Sequence, residues 1–185
     1  MTGMAGKTAI MEIFKKEGAE YIFGLPGTTE VKFLDELTSH PELKYILAMH
    51  EDMVIAIAEG YTRASGKVSV SNLHTTPGLA AAMPTIQNAK NGGVPMIITA
   101  GQQDAGKLLQ EPPLSGDLVG MAAPYVKWGT EIKFAHDIPT AIRRAYKVAT
   151  TPPTGPVFIA LPQDILDQTV DINYESALTK PLAIR

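Results

Sequence analysis

Short apolar runs alternate with segments of helical period along most of the chain. Ile10, Ile13 and Phe14 recur at i, i+3 and i+4, which predicts a helix over 7–16 that Gly18 ends. Tyr21, Ile22 and Phe23 read as a strand, halted by Gly24, Leu25, Pro26 and Gly27. Thr28 or Thr29 can cap the next helix, over 30–39, with Val31, Leu34 and Leu37 inward. A second strand at 45–48 precedes a long helix over 50–64 that Gly66 closes. A third strand at 68–73 leads to an Ala-rich helix over 77–91, where Pro84 predicts a kink or a late start. The fourth strand is 95–100. Residues 107–115 are irregular, and Pro112-Pro113 breaks any helix there. A short helix over 118–123, a strand at 126–128, a helix over 138–149 and a last strand at 157–161 follow. Residues 163–185 read as an exit segment, with few apolar anchors from Tyr174 onward.

Strand–helix alternation implies parallel strands joined by right-handed crossovers. Runs such as Met96-Ile97-Ile98 suit strands covered on both faces. The expected fold class is therefore a three-layer α/β/α domain, with a mostly parallel sheet of about six strands.

Composition narrows the function classes. The 185 residues fit one domain. With no cysteine, disulfide scaffolds, thiolate zinc sites and cysteine nucleophiles are excluded. Sixteen basic against nineteen acidic residues give a net charge of −3 with no Lys/Arg run, so nucleic acid is not an expected partner. No apolar stretch has membrane-spanning length, so no membrane association is expected. The first seven residues lack a signal-peptide core, and a cytoplasmic location is expected.

In such a sheet ligands sit at the carboxyl ends of strands. Thr28, His50, Glu51, His74, Thr75, Gln102 and Gln103 fall in those loops. Glu51 starts a helix, where its charge favours the dipole by about 0.3–1 kcal/mol. The functional alternative is a partly buried acid that exchanges a proton with a ring nitrogen. His74 either bonds the next turn or serves as a general acid–base group. His50 points elsewhere, and His40 and His136, beside helix ends, read as surface residues. The four histidines have no metal-ligand spacing, and no metal-binding residue is assigned. Neither G-x-G-x-x-G nor a P-loop occurs. The residues alone define a polar strand-end site built around Glu51 and His74.

The same residues carry a resemblance. Phe23-Gly24-Leu25-Pro26-Gly27-Thr28-Thr29-Glu30 resembles the F-G-x-P-G loop of thiamine-diphosphate-dependent decarboxylases and acetohydroxyacid synthases. His50-Glu51 with Ala58-Glu59-Gly60-Tyr61-Thr62-Arg63-Ala64 resembles that family's H-E-x-x-A-x-x-x-A-x-G-Y-A-R segment, with Val54 and Thr62 as small departures. The 98–103 and 155–162 stretches also match. Asn72-Leu73-His74-Thr75, Ala100-Gly101-Gln102-Gln103 and Val126-Lys127-Trp128 look most like benzoylformate decarboxylase.

The resemblance implies a pyrimidine-binding (PYR) domain over 1–172, with 173–185 starting a linker to an absent central domain. It implies thiamine diphosphate as cofactor, its pyrimidine end held by Glu51, Pro26, Gly27, Thr75 and Gly78. Glu51 would activate the aminopyrimidine for ylide formation, His74 would handle protons on the substrate-derived intermediate, and Thr28 would contact a small 2-oxo acid. Ala81 stands where relatives commonly have Asn, and Pro77 is more like the acetohydroxyacid synthases. The chain has Ser115-Gly116-Asp117-Leu118 but no Gly-Asp-Gly, so the Mg²⁺ of such enzymes is expected in an absent diphosphate-binding (PP) domain of the same or another chain. The chain alone would offer half a site and a homodimer is expected. The competing readings are a non-catalytic PYR-like dimerisation or binding module, and an unrelated flavodoxin-like domain.

Overall fold

The structure is a computed structural model that describes residues 3–177. In chain order the elements are β1 (Met4–Ala5), α1 (Gly6–Lys16), β2 (Tyr21–Gly24), α2 (Val31–Leu37), β3 (Lys44–Leu47), α3 (Glu51–Ser65) and β4 (Ser69–Leu73). They continue as α4 (Thr75–Asn91), β5 (Met96–Gln102), α5 (Leu118–Ala122), β6 (Gly129–Glu131), α6 (Ile138–Thr150), β7 (Val157–Pro162) and β8 (Thr169–Val170). Six strands form one sheet in the order β3-β2-β4-β5-β7-β6, and every neighbouring pair is parallel. The α/β/α expectation, with six strands, holds.

Helices α1, α2 and α6 cover one face and α3, α4 and α5 the other, each over its own apolar core. Every residue of β4, β5 and β7 is buried, which is why β5 and β7 open on continuous apolar runs, while β4 carries the buried polar residues Ser69, Ser71 and Asn72. Gly66 caps α3 in the left-handed region at φ 72°, as a glycine there should. No described helix is long and apolar enough to cross a membrane.

Several expectations are corrected. The strand expected at 126–128 lies instead at Gly129–Glu131, paired to β7. A 3-10 turn over Thr28–Glu30 precedes α2, with Gly27 as its N-cap and no side-chain cap. Leu34 and Leu37 pack against the core as expected, but Val31 does not. Phe33 becomes the fully buried residue, and Val31 is 58% exposed. α4 starts at Thr75 and continues past Pro84, whose position is exposed. His40 is buried: Lys15 reaches its Nδ1 at 3.2 Å, and Glu36 lies 3.2 Å from its Nε2. The exit segment is tied down. β8 pairs antiparallel with β1, and buried Glu17 accepts from the Tyr174 hydroxyl, the Ser176 hydroxyl and the Ala177 amide. The remainder of the expected linker lies outside the described residues.

Candidate functional site

The strand order places the site. From β2 the chain turns through α2 on one face to β3, and from β4 it turns through α4 on the other face. β2 and β4 are neighbours, so their carboxyl-end loops diverge to opposite faces. Such a divergence opens a crevice suited to a ligand. Pro26, Gly27 and Thr28 follow β2, His74 and Thr75 follow β4, and Glu51 opens α3 after β3.

The most connected group there is Glu30, which was not singled out from the sequence. Its carboxylate is 1% exposed. Oε1 accepts from the Gly101 amide at 2.9 Å and the Thr29 hydroxyl at 2.5 Å. Oε2 accepts from the Gly27 amide at 2.8 Å and lies 2.8 Å from His74 Nδ1. The Gly27 bond is the reach-back half of a capping box, from the third turn position to the N-cap amide. Gly101 permits the approach, since a Cβ there would fall 2.0 Å from Glu30 Oε1. Burial and the Glu30 charge push the Tyr45 phenol up, so it stays a neutral donor, to Asn72 Oδ1 at 3.5 Å.

The His74 ring lies flat against Gly27. A Cβ on Gly27 would sit 2.3 Å from Cε1 and Nδ1 and 2.4 Å from Cγ. Gly27 has φ −127°, open to any residue, so the demand for glycine is purely steric. Gly27→Ala is expected to destabilise the chain by about 1–3 kcal/mol, the range of core overpacking. A thermal melt at the wild-type midpoint would contradict this contact.

Glu51 is the first residue of α3 and is half-buried. Among the described residues its carboxylate has no hydrogen bond or ion pair. The adjacent His50 turns outward and bonds Asp52 at 2.7 Å, as its expected orientation requires. A Cβ on Gly78 would meet Glu51 Oε1 at 3.2 Å and His74 Cβ at 3.5 Å. Gly78 thus joins the two expected catalytic side chains across the first turn of α4. Thr75, fully buried beside them, has φ 44°, a strained value for a β-branched residue, and its hydroxyl has no partner. Glu51, Gly78 and His74 therefore stand side by side, with the Glu51 carboxylate unpaired among the described residues.

Thr28 is exposed at the start of the 3-10 turn, and Pro26 is half-buried before it. Thr76, Gln102 and Gln103 pin the 113–116 loop by bonds of 2.9 Å each to the carbonyls of Leu114, Gly116 and Pro113. Of the polar strand-end residues, Glu51, His74 and Thr75 lie near one another at the start of α4, while His50 faces outward and Gln102 and Gln103 serve this loop. His136 is exposed, as expected. Among the described residues no group of three His, Asp or Glu is placed to hold a metal ion.

Comparison with known proteins shows the family and the fold. Residues 4–121 match the model of the thiamine pyrophosphate enzyme, N-terminal TPP binding domain. The chain is 35% identical over 158 residues to a benzoylformate decarboxylase of Pseudomonas aeruginosa, covering 85% of this chain and 30% of that protein. It is 30% identical over 175 residues to the acetolactate synthase large subunit of Haemophilus influenzae, covering 95% and 30%. The structure of a thiamine diphosphate-dependent 4-hydroxybenzoylformate decarboxylase from Rhodococcus jostii superposes with a TM-score of 0.89 at 30% identity, over 97% of this chain and 34% of that one. Benzoylformate decarboxylase from Polynucleobacter necessarius superposes with a TM-score of 0.87 at 35% identity, over 96% and 33%. The chain thus spans about 30% of the length of these curated relatives.

Proposed function

Because the chain belongs to the thiamine pyrophosphate enzymes, as their N-terminal TPP-binding domain, we propose that it supplies the aminopyrimidine half of the site in a 2-oxo-acid decarboxylase or carboligase. The observation that carries this reading is Glu51: a half-buried carboxylate at a helix start, unpaired among the described residues and packed beside Gly78.

The residues fit the pyrimidine end of thiamine diphosphate. Glu51 would hold a proton between its carboxyl and a ring nitrogen of the pyrimidine. Gly78 keeps side-chain bulk away from Glu51, Gly27 seats the His74 ring, and Pro26 and the buried Thr75 shape the two loops. When bound, the cofactor supplies an electron sink for loss of carbon dioxide from a 2-oxo acid. His74, 20% exposed, would give and take a proton through its ring, and the exposed Thr28 hydroxyl would orient the substrate.

Mg²⁺ and the diphosphate would fall to a PP domain, on the same chain or another, as the family's Gly-Asp-Gly motif, which this sequence does not contain, implies. We assign 1–172 to the PYR domain and 173–185 to the start of a linker, with Tyr174 docked on Glu17. A homodimer, a small 2-oxo acid substrate and a cytoplasmic setting complete the proposal.

The test is carbon dioxide release from a panel of 2-oxo acids by the complete enzyme, with and without thiamine diphosphate. Cofactor-dependent release is expected. Cofactor binding with no turnover of any member would favour the non-catalytic module. His74→Ala is expected to lower kcat about 10²-fold, the low end for a lost acid–base group, with cofactor affinity unchanged. Unchanged kcat would make His74 structural.

A further inference from the structure

We propose that Glu30 is the positioning residue of His74. Its buried carboxylate holds the imidazole with the proton on Nδ1 and leaves Nε2 as the nitrogen that exchanges protons with a ligand. The inference rests on the reading of His74 as the proton-handling group, and adds which nitrogen acts and what sets it.

An ionised carboxylate only accepts, at about four lone-pair sites. At Glu30 three of them are taken by groups that donate: the amides of Gly101 and Gly27 and the hydroxyl of Thr29. The fourth faces His74 Nδ1 at 2.8 Å, so Nδ1 must carry a hydrogen. Thr29 Oγ1 also lies 3.2 Å from Nδ1. Its own proton is committed to Glu30, so it too presents a lone pair. Two acceptors and no donor meet Nδ1. Among the described residues Nε2 has no hydrogen-bond partner.

Free imidazole side chains favour the opposite tautomer, with the proton on Nε2. The bias must therefore come from the protein, and it is strong because Glu30 is 1% exposed. Which nitrogen of a histidine acts is set by the bond the other one makes. The carboxylate also bridges the ends of β2, β4 and β5, through Gly27, His74 and Gly101. Ring orientation and loop position are thus fixed by one group.

The test is the neutral-state tautomer of His74, read from long-range ¹H–¹⁵N correlations on the ¹⁵N-histidine-labelled 185-residue chain. His74 is assigned by the signals lost in His74→Ala. In the wild type Nδ1 is expected in the protonated range and Nε2 in the unprotonated range. Glu30→Gln offers an amide N–H as well as an oxygen. It is expected to reduce the Nδ1-protonated population several-fold, while the exposed His50, bonded to Asp52, keeps its signals. A neutral His74 protonated on Nε2 in the wild type would overturn the proposal without any variant. So would Glu30→Gln with an unaltered tautomer. In the complete enzyme the Glu30→Gln change is expected to alter the pH profile of kcat, and to add nothing in a His74→Ala background. The expected tautomer combined with an inert His74→Ala would uphold the positioning by Glu30 and remove only the catalytic reading of His74.

Discussion

Glu51→Gln is expected to lower 2-oxo-acid turnover by the complete enzyme about 10²–10⁴-fold, the range for loss of a positioned acid–base group. The amide fills the same volume but cannot exchange a proton with a ring nitrogen. Structural damage should be slight. Among the described residues the carboxylate bonds nothing, and the change forfeits only its favourable placement at the α3 N-terminus, about 0.3–1 kcal/mol. Steady-state kinetics at saturating cofactor, with a thermal melt beside them, check both parts. Wild-type turnover would remove the acid–base role, and a collapsed melt would show that Glu51 holds the fold.

Glu30→Ala is expected to act on the fold itself. It strips a partner from the Gly27 and Gly101 amides, the Thr29 hydroxyl and the His74 ring. A buried donor left unsatisfied costs about 1–3 kcal/mol. Several together should lower stability by roughly 3–5 kcal/mol, partly offset where water enters. Urea denaturation measures it. A loss below about 1 kcal/mol would mean that water or relaxation replaces the network, and would contradict the buried geometry.

The fold was legible because the sheet is buried on both faces. Met96-Ile97-Ile98 and Val157-Phe158-Ile159 cannot alternate in such a setting, and their apolar runs mark strands directly. The alternation puts Thr28, Glu51, His74 and Thr75 at strand ends, the resemblance adds Pro26, Gly27 and Gly78, and the structure packs Gly27 against His74 and Gly78 beside Glu51 and His74. What escaped depends on distant partners. Glu30 stands three residues after Gly27, a visible reach-back spacing, but its burial needs Gly101 and His74 from two other strand ends. His40 is buried by Lys15 of α1 and Glu36 of α2, which no local pattern reports. β1 and β8 have two residues each, too short for any period, and exist because they meet. A helix from residue 30 would turn Val31 inward with Leu34 and Leu37; the core side of α2 is instead formed by Phe33, Leu34 and Leu37.

The central claim is that Glu51 activates the aminopyrimidine. Its most direct test is the rate at which the thiazolium C2 proton of bound thiamine diphosphate exchanges with deuterium, compared by quenched-flow NMR in the complete wild-type enzyme and in Glu51→Gln. Fast exchange is expected in the wild type, with a fall to the rate of the free cofactor in the variant. Exchange in Glu51→Gln at the wild-type rate would contradict it.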